Sequence, residues 1–496
     1  MRNAHAVAQV RAAESELMAL LPEGALMQRA AAGLASACAS LLAAVYGSRV
    51  VVLAGSGDNG GDALYAGARL AGRGARVTAI AAGSRVHQGG TAALRGAGGR
   101  LLEAADRGAD AAITAADLII DGLLGIGGRG GLREPAASLA AAAQRARARV
   151  VAVDLPSGID ADTGEVAGAA VQADVTITFG TWKPGLLIDP GASHAGVTEL
   201  VDIGLAPYLG RPAAAAPQAA DIAAWLPRPS AESDKYRRGV LGIVAGSDRF
   251  TGAPTLAVGG AIRGGAGMVR LVSAEHAVAV VREHWPEALI TVIDPARTGA
   301  QVIDDAGRVQ AWAAGPGMGT GQDAAGLLGA VLATSLPVLV DADGITVLAA
   351  HRGLLARDAP TLLTPHAGEL ARLLGADRAD VEAHRLRFVT QAAAELGCTV
   401  LLKGSTTVIA SPDAGREVLV NPTGTSWLAT AGSGDVLTGL AGSLLAQGLE
   451  PQHAAVTAAY LHGIAARLAA EGAPIGASDI IGSLAAATRT VTQAPG

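Results

Sequence analysis

The chain has 496 residues, with 38 lysines and arginines against 44 aspartates and glutamates, for a formal net charge of −6. No basic block accompanies that balance, which argues against a nucleic-acid partner. Half the residues are hydrophobic but only 3% are aromatic, so the mean hydropathy of +0.36 comes from alanine and aliphatic side chains.

The length carries a prior of two or three domains. The N-terminus shows no basic segment followed by an apolar core and a cleavage site, so no secretory signal is expected. Residues 30–47 form an uncharged run of transmembrane length. Its Ala, Gly and Ser are weakly apolar, and a strand follows at once, so it reads as a buried helix and not a membrane span. Cys38 and Cys398 lie far apart with no metal-type spacing, which fits a reducing compartment. A cytoplasmic protein with no membrane partner is expected.

Short aliphatic runs alternate with Ala-rich helical stretches. Strands are expected at 50–53, 77–80, 118–120, 150–153 and 175–179, then at 240–244, 268–272, 338–340 and 400–402. Runs buried on both faces and separated by helices indicate parallel α/β sheets. Between residues 205 and 233, five prolines (Pro207, Pro212, Pro217, Pro227 and Pro229) break the pattern as a linker would. Two α/β domains are expected, 1–215 and 216–496.

In the first half, Gly55-Ser56-Gly57-Asp58-Asn59-Gly60-Gly61-Asp62 follows a strand and precedes a helix. The spacing satisfies the dinucleotide fingerprint, but the ribose-binding acid after the second strand is missing. Two carboxylates in the loop suit a hard cation or a polar ligand's hydroxyls better than a pyrophosphate. Asp121 closes a strand before the glycine-rich run Gly125-Ile126-Gly127-Gly128-Arg129-Gly130-Gly131. Asp154 closes another before Leu155-Pro156-Ser157-Gly158. Each Asp alone reads equally as a turn residue. Gathered at strand ends, Asn59, Asp121, Asp154 and Ser157 point to a site, because open α/β sheets bind ligands there.

Together with Phe179-Gly180-Thr181-Trp182-Lys183-Pro184-Gly185, these motifs resemble the NAD(P)H-hydrate epimerases over residues 10–210. The resemblance implies a Rossmann-like three-layer domain that binds NAD(P)HX, the hydrated form of NAD(P)H. Carried over, Asp58, Asn59, Gly60, Gly61, Asp62 and residues Gly125 to Gly131 contact the ligand. Asn59, Asp121 and Ser157 hold a potassium ion, and Asp154 transfers the proton. Asp58 stands where the family usually has Asn, and Ala63 where it has Gly.

The second half holds Asn421-Pro422-Thr423-Gly424 and Gly432-Ser433-Gly434-Asp435 ahead of the apolar run that begins at Val436. A glycine loop feeding a helix N-terminus is an anion site. Asp435 at its mouth suits removal of a proton from a hydroxyl attacking a phosphate; a helix N-cap is the other reading. Further motifs are Thr251-Gly252-Ala253-Pro254, Gly315-Pro316-Gly317-Met318-Gly319, Thr364-Pro365-His366-Ala367-Gly368-Glu369 and Lys403-Gly404-Ser405-Thr406-Thr407. Alone, His366 reads as a strand-end histidine satisfied by backbone, and Lys403 as a solvated lysine.

From about residue 225 to 490 these motifs resemble the ADP- or ATP-dependent NAD(P)H-hydrate dehydratases, a branch of the ribokinase-like fold. By that resemblance Lys403, Gly404, Ser405, Thr406, Thr407 and Gly434 line the nucleotide, and Ala253, Gly317, His366 and Asp435 face NAD(P)HX. Ser405-Thr406 replaces the usual Ala-Gly, and Thr425 a common Asn. The fused arrangement resembles ADP-dependent members, which implies ADP as co-substrate, Mg²⁺, and a homo-oligomer, a tetramer. Two other readings are a ribokinase-like vitamin-precursor kinase with a non-catalytic N-terminal binding domain, and a non-catalytic scaffold. His366, where such kinases usually carry Asn, weighs against the first. Intact Asp121, Asp154 and Asp435 weigh against the second.

Overall fold

Strand Arg49–Ala54 carries Val50, Val52 and Ala54 into one buried layer with Leu34 and Leu64. It carries Val51 and Leu53 into another with Ile113 and Leu139. Alternate side chains of a strand must diverge in this way, and two apolar faces require helices on both sides. The structure, a computed structural model, describes residues 1–83 and 85–493; Ser84 and the last three residues of the expected second domain lie outside the described residues. The chain folds into two compact units, one of Asn3–Ala214 and the other of Met1–Arg2 with Ala215–Gly496.

The first unit is a seven-stranded, wholly parallel sheet. Its order is Arg100–Glu103, Arg76–Ala81, Arg49–Ala54, Leu118–Gly122, Arg149–Val153, Val175–Phe179 and Val197–Val201. The strand order reverses between Arg49–Ala54 and Leu118–Gly122, which pair directly. The C-terminal ends of these two strands therefore flank the switch-point crevice typical of doubly wound sheets. The run 30–47 is helical only as far as Leu41, within helix Ala25–Leu41. Among the described residues no helix is long and apolar enough to cross a membrane.

In the second unit the sheet includes, in this order, Ala214–Ala216, Val418–Asn421, Thr407–Ala410, Thr399–Leu402, Thr361–Leu363, Val338–Val340, Ala311–Ala314, Val240–Val244, Met268–Ser273 and Leu289–Val292. Most neighbours are parallel, but Thr399–Leu402, Thr407–Ala410 and Val418–Asn421 pair antiparallel. The expectation of parallel sheets fails among these three strands because apolar runs carry no sign of strand direction. The proline-punctuated stretch is also more than a linker. It contains strand Ala214–Ala216 and helix Ala219–Trp225, whose Ile222 is fully buried in the second core. Trp225 stacks on His453 with ring centroids 4.3 Å apart.

Helices Gly252–Arg263 and Ser433–Ala446 cross that core at very short range. A Cβ on Gly439 would lie 1.8 Å from the Ala257 carbonyl oxygen, and one on Gly260 would lie 2.3 Å from that of Val436. Absent side chains let the backbones touch, which fixes where Ser433–Ala446 begins.

Two candidate active sites

The switch point of the first unit opens into a cavity of about 680 Å³. The glycine loop is shorter than the sequence suggests, because helix Asp58–Gly72 starts at Asp58 and takes Asn59, Gly60, Gly61 and Asp62 into its first turns. Asp58, Asn59 and Asp62 line the cavity. Gly60 serves packing: a Cβ there would sit 2.3 Å from the Gly55 carbonyl oxygen. Gly61 lies against the His87 ring. Across the cavity are Gly125, Ile126, Gly127 and Gly128, and Arg129 lines a smaller annex of about 90 Å³ with Arg11. Gly130 takes a left-handed φ of 73°, and Gly131 packs against the Gly168 backbone.

Asn59, Asp121 and Ser157 converge on Leu124. Asn59 Nδ2 donates to the Leu124 carbonyl at 2.9 Å, and the Leu124 N–H donates to Ser157 Oγ at 2.8 Å. Ser157 Oγ is 2.7 Å from Asp121 Oδ1, and the Ser157 N–H donates to Oδ2 at 2.8 Å. Asp121 is fully buried. Burial pushes its carboxyl up to about 6, against the hydrogen bonds from Ser157 and Leu123.

Asp154 ends strand Arg149–Val153 in a left-handed conformation, φ 66°, uncommon for a non-glycine residue. Its Oδ1 accepts from Thr178 Oγ1 and the Phe179 N–H, each at 3.1 Å, and pairs with the Lys183 ammonium. Lys183 is 1% exposed and also donates to Thr178 Oγ1 at 3.0 Å and to the Phe179 carbonyl at 3.1 Å. Sequence reasoning left Lys183 without a role although it sits in the Phe179–Gly185 motif. Glu14 and Arg11, from helix Val7–Met18, also line the cavity; nothing in that helix's sequence marks them. Burial, then the Asp154 carboxylate, raises the Glu14 pKa.

In the second unit the helix begins at Ser433, with Gly432 at its N-cap in a left-handed conformation, φ 86°. Asp435 is thus the third residue of the first turn and not the cap, because the helix starts ahead of the apolar run. Burial pushes its carboxyl up to about 7, Asp341 adds to the shift, and Lys403 opposes it. Lys403 is not a solvated lysine. Its Nζ donates to Asp341 Oδ1 at 2.7 Å and lies 3.8 Å from Glu369 Oε2. Burial works against its charge, but the Asp341 and Glu369 carboxylates outweigh that and raise its pKa. A Cβ on Gly434 would be 3.5 Å from the same Nζ.

Lys403, Gly404, Ser405 and Thr406 form the turn between antiparallel strands Thr399–Leu402 and Thr407–Ala410. Arg385, 5% exposed, holds this turn by donating to the carbonyls of Lys403 and Thr406, each at 3.0 Å. The Ser405 carbonyl would be 3.5 Å from a Cβ on Gly424, so the turn meets the Asn421–Gly424 loop. His366 caps helix Ala367–Leu374: its Nδ1 accepts from the N–H groups of Gly368 at 3.0 Å and Glu369 at 3.3 Å. That bonding places the ring proton on Nε2. Burial lowers its pKa, against the Glu369 carboxylate 3.5 Å from Nε2. Ala253, in the first turn of Gly252–Arg263, neighbours Gly317: a Cβ on Gly317 would lie 3.1 Å from that of Ala253.

Asp341, Asp343 and Glu369 complete this site and were missed as functional positions. Asp341 and Asp343 follow strand Val338–Val340, the signal that flagged Asp121 and Asp154 in the first half. Asp341 Oδ2 accepts from Thr438 Oγ1 at 2.6 Å, one turn along from Asp435. Asp343 accepts from the Gly319 N–H at 3.0 Å.

Known proteins share both halves of the chain. A family model described as YjeF-related protein N-terminus matches residues 23–185, and one described as NAD(P)H-hydrate dehydratase matches residues 241–482. The bifunctional NAD(P)H-hydrate repair enzyme Nnr of Mycobacterium tuberculosis is 48% identical over 92% of this chain and 91% of its own length. That of Mycobacterium leprae is 46% identical over 95% and 94%. A ribokinase-like superfamily protein from Enterococcus faecalis superposes with a TM-score of 0.51 at 24% identity, covering 58% of this chain and 99% of its own, and so shares the fold. The chain belongs to the family of bifunctional NAD(P)H-hydrate repair enzymes.

Proposed function

We propose that the chain repairs hydrated NAD(P)H in two steps: residues 1–215 interconvert the R and S epimers of NAD(P)HX, and residues 216–496 dehydrate the S epimer at the expense of a nucleotide. The observation that carries the reading is Asp435 in the first turn of a glycine-fed helix, with Lys403 held beside it by Asp341. Helix N–H groups and an ammonium suit a phosphate, and a carboxyl titrating near 7 suits a proton acceptor at neutral pH.

In the dehydratase, Asp435 takes the proton of the C6 hydroxyl as that oxygen attacks the terminal phosphorus of ADP, and AMP leaves. The phosphorylated carbon then loses phosphate and a neighbouring proton, restoring NAD(P)H. Lys403 and the N–H groups of Ser433 and Gly434 would steady the phosphate charge, and positioning and charge stabilisation supply most of the rate in such transfers. His366, with its proton on Nε2, would donate a hydrogen bond to the hydrate. Mg²⁺ bound with the nucleotide would neutralise phosphate oxygens, and the Asp343 and Glu369 carboxylates are the hard oxygen donors it prefers.

In the epimerase, protonation of the C6 hydroxyl releases water and leaves an iminium; water returning on the other face inverts the carbon. Asp154 is the proposed proton-transfer group. Asp121 fits potassium, because among the described residues its buried carboxylate accepts only from the neutral groups of Ser157 and Leu123. With Asn59 and Ser157 it would hold the ion, whose charge would help anchor the hydrate. ADP as preferred nucleotide, a homo-tetramer and a cytoplasmic location belong to the same reading.

The test is incubation with mixed epimers plus ADP or ATP, following the return of reduced-nicotinamide absorbance. Both epimers should be consumed with ADP. Phosphorylation of a vitamin-type alcohol with no recovery of absorbance would establish a kinase in its place.

A further inference from the structure

Epimerisation at a carbon that loses and regains a hydroxyl requires water to leave one face and arrive on the other. Two proton transfers are needed, one to the departing oxygen and one from the arriving oxygen. The cavity of the first unit holds two carboxyl groups in opposite settings. Asp154 takes the Lys183 ammonium and two further donors on one oxygen. Asp62, on helix Asp58–Gly72, lines the same cavity, but its Oδ1 is screened from solvent and accepts no hydrogen bond from the described residues. The charged groups acting on Asp62 are Asp154, Asp58 and Glu14, all carboxyls. His87, against the adjacent Gly61, is engaged as a helix cap through Nδ1. Burial and then those carboxylates push Asp62 well above the usual carboxylate range. One carboxyl held by three donors and another whose inner oxygen has none suit one site to two different proton-transfer roles.

We propose that Asp62 is a second catalytic residue of the epimerase, giving a proton to the departing C6 hydroxyl while the Asp154 carboxylate takes one from water arriving on the opposite face. The assignment rests on the epimerase reading above. In the first step the C6–O bond breaks with its electron pair on oxygen, and the Asp62 proton completes a water molecule. The ring-nitrogen lone pair closes the carbon–nitrogen double bond of the iminium. In the second step a water oxygen forms the new C6–O bond, the π pair returns to nitrogen, and Asp154 receives the released proton. Exchange with bulk water resets both carboxyls, and the roles reverse for the opposite epimer.

The experiment uses the full-length protein, purified single epimers and a pH series, with the spontaneous rate subtracted. Wild type should give a kcat/KM profile for epimerisation that falls on the alkaline side as Asp62 loses its proton. Asp62→Asn should lower the rate by about 10²–10⁴-fold and abolish the alkaline limb, while hydrate affinity falls far less. Asp154→Asn should also slow epimerisation but keep the alkaline limb. Near-wild-type epimerisation by Asp62→Asn, or a slow rate with the alkaline limb intact, overturns the proposal. If Asp62→Asn loses hydrate binding altogether, Asp62→Glu decides: a retained alkaline limb supports the acid role, and its loss with binding intact overturns it. A wild type that never exceeds the spontaneous rate would sink the epimerase reading itself, so the two failures are distinguishable.

Discussion

Lys403 and Asp341 stand 62 residues apart in sequence, yet the Lys403 ammonium donates to Asp341 Oδ1 at 2.7 Å. The other Asp341 oxygen takes the Thr438 hydroxyl at 2.6 Å, so one buried carboxylate ties Lys403 to the helix that carries Asp435. Asp341→Ala should release both. Removing one member of a buried pair leaves the other charge uncompensated, which costs about 3–5 kcal/mol. The expected result is a lower denaturant midpoint together with a raised KM for ADP. A variant with wild-type midpoint and KM would show that Asp341 organises neither.

Asp435 gives a pH dependence with a definite sign. Its carboxyl is pushed up to about 7, by burial first and then by Asp341. As a base it works only when ionised, so dehydration of the S epimer should rise with pH through about 7 and level off above it. Asp435→Asn should be slow and lack that rise. Stability runs the other way. The folded carboxyl binds its proton more tightly than the unfolded one, so this group's stabilising contribution is complete below about pH 4 and is lost as pH rises through about 7. Denaturant melts of wild type and Asp435→Asn at pH 5 and pH 8 check the sign.

Strands buried on both faces were legible because apolar runs such as 50–53 and 240–244 admit few other readings. Arg100–Glu103 escaped because charged residues flank its two leucines, and Ala311–Ala314 because alanine favours helices. The glycines at 57 and 432 marked both helix starts, but glycine inside a helix looks like loop, so Asp58–Asp62 and Ser433–Asp435 read as loop residues. Motifs drew attention to Asn59, Asp121, Asp154 and Asp435, but Lys183 and Glu369 were passed over inside motifs of their own. Glu14, Lys183 and Asp341 act through partners far along the chain, and no local pattern announces such a pairing.

Asp121→Ala tests the potassium proposal. It removes the charged member of the Asn59, Asp121 and Ser157 group, so hydrate binding to the epimerase should weaken and lose its response to added potassium chloride relative to a bulky organic cation. Dehydration of purified S epimer should stay unchanged. A potassium response equal to wild type would remove Asp121 from the ion's ligands.

Gly439→Ala probes the close helix crossing that positions Asp435. The new methyl would start 1.8 Å from the Ala257 carbonyl oxygen, so helices Gly252–Arg263 and Ser433–Ala446 must move apart. Overpacking of this kind costs about 1–3 kcal/mol. Dehydration should fall along with the melting temperature, since the first turn bearing Gly434 and Asp435 would shift. Unchanged activity and stability would mean that the crossing relaxes without disturbing the site.

The two sites should fail separately, because each is built from residues of its own unit and mutations without shared partners usually add. Asp435→Asn keeps size and shape but removes the proton acceptor, so dehydration should drop by about 10²–10⁴-fold while R-to-S conversion survives. Asp154→Asn should leave S-epimer dehydration near normal and slow epimerisation toward the spontaneous rate. It also leaves Lys183 buried without its carboxylate, so the variant should unfold at lower denaturant than wild type. Chromatography of single epimers follows the first reaction and absorbance the second. The double variant should lose both activities by the same factors as the single ones. A deficit far beyond their product would mean that the sites act on a shared intermediate, and one carboxylate failing without effect would assign that carboxylate to structure alone.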